Sequence, residues 1–244
     1  MTPDTTHSGP VSSGRVLKTI ISINIFMFVV SLIYSGKQVT ISLNPFYMLT
    51  PSVDTLTFLG ATGRLPILKF DAWWSLVTAN WLHGGILHIL FNMLALQTVA
   101  PMVIREFGIS RMFAIYTLSG IIGFTFSFLG NVTLTVGASA GLCGLIGALW
   151  YYGQARGGQW GRMVYRQTSG WLITLGLFGF FLPNIDNWGH AGGFLGGILT
   201  GWLLKYIEKR KETLFDHTLA ASLAGVTLFF LVRSVVQGFS AIFL

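Results

Sequence analysis

Residues 136–149 read VGASAGLCGLIGAL, and the rest of the chain is best interpreted from this stretch. Ser139 stands near its start, and small residues then recur along an apolar helix. One face of that helix is almost bare, so a neighbouring helix can approach closely inside a membrane. A second glycine-stepped stretch, GHAGGFLGGILTG, covers residues 189–201 and carries His190 near its start. Two such helices packed on their bare faces would bring a hydroxyl group and an imidazole together.

The composition is that of an integral membrane protein. Of the 244 residues, 52% are hydrophobic and 9% are charged, whereas soluble domains carry about 25% charged residues. The length accommodates six or seven spans of about 20 residues each. The formal net charge of +7 reflects an excess of basic residues, most of which lie between these spans. Membrane topology explains such a pattern, so no nucleic-acid partner is predicted. The single cysteine, Cys143, excludes an intramolecular disulfide.

Apolar stretches predict seven membrane-spanning helices. They cover residues 16–35, 86–104, 112–129, 139–152, 171–182, 188–207 and 219–239. The polar residues 1–14 are predicted to be a disordered cytoplasmic tail without a cleavable signal peptide. Residues 15–207 then form a six-helix core, and residues 208–244 form a linker and a seventh span. The long segment 36–82 is rich in tryptophan and is predicted to lie partly in the membrane interface.

The cationic residues predict the orientation of the chain. With the N-terminus in the cytoplasm, eleven of the 15 Lys and Arg residues lie on the cytoplasmic side and three lie outside. Such an asymmetry is the usual determinant of topology. The remaining one, Arg233, falls near the end of the last span, where its side chain can reach the interface. The C-terminus, the long loop, Ser139 and His190 are then extracytoplasmic. The absence of a recognisable transit peptide favours the cytoplasmic (inner) membrane of a prokaryote.

The start of the second span adds more polar side chains. His88 and Asn92 are four residues apart and therefore share a helix face, whereas two glycines at 84–85 place His83 before the helix begins. A metal site or haem ligation by His83, His88 and His190 stays open, as do a polar permeation path and simple helix-bridging hydrogen bonds. The chain lacks the His-Glu-x-x-His motif of metalloproteases, and we predict no metal and no cofactor.

Together these side chains fit nucleophilic catalysis. A serine hydroxyl needs an adjacent base, which His190 supplies. No acidic residue lies within a predicted helix core, so the sequence predicts a dyad. The tetrahedral intermediate requires hydrogen-bond donors, and the serine N–H, the Asn92 amide and the His88 imidazole can provide them. Gly137 and Gly141 are expected to let the backbone near the serine approach the substrate closely.

The three motifs resemble those of the rhomboid family of intramembrane serine proteases. They are Gly137-Ala-Ser139, His83-x4-His88-x3-Asn92 and His190-x2-Gly193-x3-Gly197, and the similarity covers about residues 55–201. The resemblance implies that Ser139 is the nucleophile and His190 the general base, with His88 and Asn92 as oxyanion donors. The residues expected to support this site are His83, Gly137, Gly141, Cys143, Gly193 and Gly197.

The resemblance also implies the fold and the activity. The expected fold is an all-α membrane bundle of six helices with one added C-terminal helix. The expected activity is cleavage of transmembrane proteins near the outer face of the bilayer, in contact with membrane lipids. Three positions depart from the family pattern: Ala140 replaces a glycine, Ser75 replaces an arginine, and Cys143 replaces a residue that is often aromatic. The alternative function is a non-proteolytic relative that binds or escorts membrane proteins, which would be expected to lack the serine or the histidine.

Overall fold

The structure, a computed structural model, describes residues 10–181 and 185–243. The described residues form ten α-helices and no β-strand. The helices are α1 (Pro10–Ser35), α2 (Val53–Phe58), α3 (Arg64–Phe70), α4 (Ser75–Thr78), α5 (Ile86–Phe107), α6 (Ile109–Leu129), α7 (Ser139–Arg156), α8 (Gly158–Phe181), α9 (Asn187–Leu204) and α10 (Leu214–Phe243). The all-α fold predicted from the sequence is confirmed.

The seven predicted spans correspond to α1 and to α5 through α10. By length and composition, the described parts of α1, α5, α6 and α10 are able to cross a membrane. Helices α7 and α9 have 18 residues each and are glycine-rich, which lowers their apolar signal although they pack inside the bundle. Helix α8 begins at Gly158, well before the predicted start at residue 171, because it continues through a cationic stretch that apolarity alone leaves out.

Some of the predicted boundaries differ from those of the structure or lie outside the described residues. Residues 1–9 of the predicted tail lie outside the described residues, as does residue 182 of the fifth span. Helix α1 begins at Pro10, so residues 10–14 of the predicted tail are helical in the structure. The predicted division between residues 207 and 208 falls in the linker between α9 and α10, and the domain assignment stays a prediction.

Helix α7 lies at the centre of the bundle and packs against α5, α6, α8 and α9. Its closest approach is to α9, where glycine faces backbone on both sides. A Cβ at Gly147 would overlap the carbonyl oxygen of Phe194, and a Cβ at Gly197 would lie 2.7 Å from the Cα of Gly144. Only residues without a side chain permit this spacing. The predicted packing of the two glycine-stepped helices is therefore confirmed.

The segment between α1 and α5 is folded onto the loop that precedes α7. Thr62 and Thr135 exchange two backbone hydrogen bonds of 3.0 and 2.7 Å, and the Arg64 N–H donates to the Val132 carbonyl at 2.7 Å. The Gly137 N–H donates to the carbonyl of Ala79 at 2.9 Å. These bonds satisfy backbone groups that would otherwise be unpaired, and they set the position of the loop that leads into Ser139.

The opposite end of the bundle carries a polar cluster, which we name the basal clasp. It consists of Arg111, at the start of α6, with Asp216 and the linker carbonyls of Lys205, Arg210 and Lys211. The buried guanidinium donates two bonds of 3.0 Å to the Asp216 carboxylate and one bond to each carbonyl, of 3.0, 2.7 and 2.7 Å respectively. The clasp attaches the beginning of α10 to the core, far from Ser139.

Candidate active site

Ser139 and His190 meet where two helices begin. Ser139 is the first residue of α7 and His190 is the fourth residue of α9. The Ser139 Oγ lies 2.9 Å from Nε2 of His190, which is hydrogen-bonding distance. The first N–H groups of a helix have no intrahelical acceptor, so the Ser139 N–H can bind an anionic oxygen. The structure thus brings a hydroxyl, an imidazole and an open backbone donor to one point.

His88, in the first turn of α5, faces the same point. Its Nδ1 accepts a hydrogen bond of 3.3 Å from the Gly84 N–H, so in the neutral ring we assign the proton to Nε2. Nε2 points at Gly137, where a Cβ would lie 2.6 Å from Nε2 and 3.6 Å from the Ser139 Oγ. The missing side chain of Gly137 therefore leaves a space between the imidazole and the serine hydroxyl.

Asn92 and His83 surround His88 in different ways. Asn92 donates one amide hydrogen from Nδ2 to the His88 carbonyl at 2.8 Å. Its second amide hydrogen can therefore be donated to another acceptor. His83 precedes α5, as predicted, and its fully buried ring meets the His88 ring edge-on at 5.1 Å between centroids. Burial, and secondarily the nearby His88, hold the pKa of His83 well below its usual range, so this ring is neutral at physiological pH.

The three histidines of the site are divided between two contacts. His83 pairs with His88, and His190 pairs with Ser139. Within residues 10–181 and 185–243, no group of three or more His, Cys, Asp or Glu side chains is placed to hold a metal ion.

The supporting residues on α7 face the interior of the bundle. Gly141 was predicted to let the backbone approach the substrate, and this stays a prediction; in the structure a Cβ there would lie 2.8 Å from Cδ2 and from the carbonyl oxygen of Tyr116 on α6. Gly141 therefore permits helix packing. Cys143 is a buried free thiol one turn after the serine. A Cβ at Gly193 would overlap the carbonyl of Ala140, so this glycine permits the contact between α9 and α7.

Two departures from the family pattern have a local explanation. The Ala140 methyl group is buried against α6, where a Cβ at Gly123 would lie 2.9 Å from it. A glycine on the neighbouring helix thus accommodates the added methyl. The Ser75 Oγ donates to Oγ1 of Thr62 at 2.8 Å in a buried hydroxyl pair. The neighbouring Trp74 lies under the guanidinium of Arg233, with 4.7 Å between Cζ and the ring centroid.

Sequence reasoning missed one residue beside this site, Asp186. Its carboxylate caps α9 by accepting from the Gly189 N–H at 2.8 Å, and it also accepts from the Ser127 hydroxyl at 2.5 Å. The span was predicted to begin at residue 188, so Asp186 was left outside it. The available signal was an Asp three residues before a glycine helix, which is a typical N-cap.

The fold and the site together define a class of protein, an all-helical integral membrane protein with a serine–histidine pair at one end of the bundle. The family model for the Rhomboid domain matches residues 71–207, more than half of the chain, and this range includes both Ser139 and His190. The chain belongs to the rhomboid family.

Relatives from plants and bacteria are similar over the same region. RHOMBOID-like protein 5 of Arabidopsis thaliana is 35% identical over 167 residues, which is 64% of this chain and 52% of that protein. Rhomboid protease GluP of Bacillus subtilis (strain 168) is 38% identical over 152 residues, 60% of this chain and 29% of that protein. Inactive RHOMBOID-like protein 8 of Arabidopsis thaliana is 33% identical over 163 residues, 64% of this chain and 44% of that protein. The chain thus matches about half or less of the length of these relatives.

Proposed function

We propose that the protein is an intramembrane serine endopeptidase that cleaves transmembrane substrates with a Ser139–His190 dyad. The observation that carries the proposal is the distance of 2.9 Å between the Ser139 Oγ and Nε2 of His190. A serine alone is a poor nucleophile at neutral pH, and a base at this distance can remove its proton as it attacks. The similarity to a protein named Rhomboid protease GluP supports the same activity.

The proposed reaction uses groups from three helices. The Ser139 Oγ attacks the scissile carbonyl carbon while its proton moves to Nε2 of His190. The negative oxygen of the tetrahedral intermediate receives hydrogen bonds from the Ser139 N–H, from Nε2 of His88 and from the second amide hydrogen of Asn92. His190 then protonates the leaving amine, and a water molecule, activated by the same histidine, hydrolyses the acyl-enzyme. The chemistry needs no metal or organic cofactor.

The substrate must expose a peptide carbonyl at the start of α7. A continuous transmembrane helix hides its carbonyls in hydrogen bonds, so the scissile segment has to unwind before the attack. Helix-weakening residues near the cleavage site, and small residues at it, would lower that cost. We therefore propose single-span proteins with such a segment as the substrate class, with membrane lipids surrounding both partners.

We further propose that the N-terminus is cytoplasmic and that the C-terminus and the site face the extracytoplasmic side. The basal clasp and its neighbours place many cationic residues at the end of the bundle opposite Ser139, which supports this orientation. Reporter fusions to each terminus test it, and an extracytoplasmic N-terminus would contradict it. The prokaryotic cytoplasmic membrane stays a prediction, because the relatives include plant and bacterial proteins.

The dyad is tested with the full chain in liposomes and a model single-span substrate. We expect Ser139→Ala and His190→Ala each to lower the cleavage rate by at least about 10³-fold, because neither group acts without the other. Cys143→Ala is the matched control and is expected to cleave normally. Reaction of the wild type with a fluorophosphonate should label Ser139 alone.

Two outcomes would contradict the proposal. Cleavage that persists in Ser139→Ala would exclude the serine mechanism. A wild-type protein that binds transmembrane proteins without cleaving them, and that is not labelled at Ser139, would favour the escort function instead. The similarity to a relative named Inactive RHOMBOID-like protein 8 is the observation that keeps this second function under test.

A further inference from the structure

Asp186 makes three hydrogen bonds at the start of the helix that carries His190. Its Oδ1 accepts from the Gly189 N–H at 2.8 Å, and its backbone carbonyl accepts from the His190 N–H at 3.0 Å. Its Oδ2 accepts from the Ser127 hydroxyl of α6 at 2.5 Å. The first two bonds are those of an ordinary helix cap. The third one is different, because it ties the cap to a neighbouring helix.

The surroundings of Asp186 leave little freedom to this turn. A Cβ at Gly189 would lie 2.7 Å from Oδ2 of Asp186 and 2.9 Å from the Ser127 Oγ, so the backbone of α9 is pressed against the bond. On the other side, the Asn187 amide donates to the Gly179 carbonyl of α8 at 2.8 Å. The first turn of α9 is thus held from two helices, and His190 lies within that turn.

The carboxylate of Asp186 also places a negative charge near the dyad. It takes part in none of the ion pairs found among the described residues, so no lysine or arginine there neutralises it. His190 becomes positively charged when it takes the serine proton, and a carboxylate one helical turn earlier on α9 stabilises that charge. Ser139 on α7 and His88 on α5 also face His190, and neither is anionic before the attack.

We propose that Asp186 is a positioning residue for His190. It fixes the first turn of α9 to Ser127, which holds Nε2 of His190 at bonding distance from the Ser139 Oγ, and its charge stabilises the imidazolium that forms during the attack. This inference rests on the proposed function of the Ser139–His190 pair. The hydrogen bonds of Asp186 go to Ser127, to the Gly189 N–H and to the His190 N–H, and none goes to the Ser139 Oγ or to the His190 ring, so we assign it a role through the histidine.

The test compares three variants of the full chain in liposomes: Asp186→Ala, Asp186→Asn and Ser127→Ala. Two quantities are measured, the rate of fluorophosphonate labelling at Ser139 and the kcat and KM for a model single-span substrate. We expect Asp186→Ala to lower kcat and the labelling rate by about 10- to 100-fold, because a displacement of about 1 Å costs that much. KM should change less than about twofold, since substrate contacts are retained.

The conservative variant separates geometry from charge. Asn is as good an N-cap as Asp, and its amide can still bond Ser127, so Asp186→Asn should recover part of the lost kcat. Ser127→Ala keeps the charge and the cap but loses the link to α6, and it should show an intermediate loss. The matched control is Asp216→Asn, which weakens a buried carboxylate contact in the basal clasp and should lower thermal stability without lowering the labelling rate of the folded protein.

Each result has a distinct meaning. If the wild type is not labelled at Ser139, the proposed function fails, and this inference fails with it. If the wild type is labelled and Asp186→Ala is labelled at the same rate per folded protein, only the positioning role is overturned. The role is also overturned if Asp216→Asn lowers kcat as much as Asp186→Ala at an equal loss of stability, because Asp186 would then be no more than a structural cap.

Discussion

At the scale of single residues, Gly137 is important to the proposed site because it has no side chain. Gly137 has a φ of +136°, and it lies between His88 and Ser139. In the proposed mechanism, the space left by its missing Cβ receives the oxygen of the substrate carbonyl. The Gly137→Ala variant would place a methyl group 2.6 Å from Nε2 of His88 and would strain the backbone. We expect cleavage to fall by at least about 10²-fold, as when an oxyanion donor is lost.

The control for Gly137→Ala is Gly170→Ala in α8, where a Cβ meets nothing within 4 Å. Alanine is favoured over glycine inside a helix by about 1 kcal/mol, so this variant should be fully active and no less stable. Cleavage and fluorophosphonate labelling are measured for both variants. Normal cleavage by Gly137→Ala would show that the space between His88 and Ser139 is not used for an oxyanion.

The residues of the site differ in how far the sequence predicts where they lie. The spacing of His88 and Asn92 follows from the period of one helix, and the glycine steps around Ser139 and His190 predict that two helices meet. The direction in which Gly141 faces depends on Tyr116, a residue of a different helix. The role that we propose for Asp186 depends in the same way on Ser127. The N-cap position of Asp186 has a local signal in the sequence, but contacts between helices have none, so neither the packing of Gly141 on Tyr116 nor the bond from Ser127 was predicted.

At the scale of helices, the α7–α9 contact is expected to hold Ser139 and His190 at their distance of 2.9 Å. Gly197→Ala would place a methyl group against the backbone of Gly144, with its Cα at 2.7 Å, and a backbone cannot rotate away as a side chain can. We expect the variant to lose about 1–3 kcal/mol of stability, as overpacked cores do. The helices should also separate near His190, which lies two turns earlier on α9, so labelling of Ser139 should be slower.

Thermal unfolding in detergent and the labelling rate are measured together for Gly197→Ala. Gly225→Ala on α10 is the matched control, because a Cβ there meets nothing within 4 Å and the substitution is again from glycine to alanine in a membrane helix. Unchanged stability and labelling in Gly197→Ala would mean that α7 and α9 do not need their close contact.

The apolar pattern of the sequence predicts the bounds of some helices well and those of others poorly. It finds α5 and α6 almost completely, because both are apolar along most of their length. The same pattern predicts too short an α8, because the first part of this helix carries Arg162 and Arg166. Charged residues indicate a loop in such a pattern, whereas a helix can continue beyond the bilayer core. Hydrogen bonding sets the end of a helix, whereas apolarity sets only the part that lies in lipid.

At the scale of the whole molecule, the two ends of the bundle have different chemistry. The end with Ser139 and His190 is built from helix N-termini, small residues and a folded loop. The other end is cationic and is held by the basal clasp, in which Arg111 and Asp216 are both buried. This separation predicts that the attachment of α10 can be weakened without altering the dyad.

The variant Arg111→Ala tests that separation. Removing the guanidinium would break two of the hydrogen bonds to the buried Asp216 carboxylate, which keeps its ion pair with Arg210, and would leave three linker carbonyls without this donor. Breaking a buried ion pair in this way costs about 3–5 kcal/mol, so the unfolding temperature should fall and the linker between α9 and α10 should become sensitive to proteases. Ser139 should still react with a fluorophosphonate in the folded protein.

Arg156→Ala is the control, since its pair with Glu208 is exposed to solvent and its loss should leave the unfolding temperature unchanged. An unfolding temperature that is equal for both variants would contradict a stabilising role of the basal clasp, and loss of labelling at Ser139 in folded Arg111→Ala would show that the two ends are coupled.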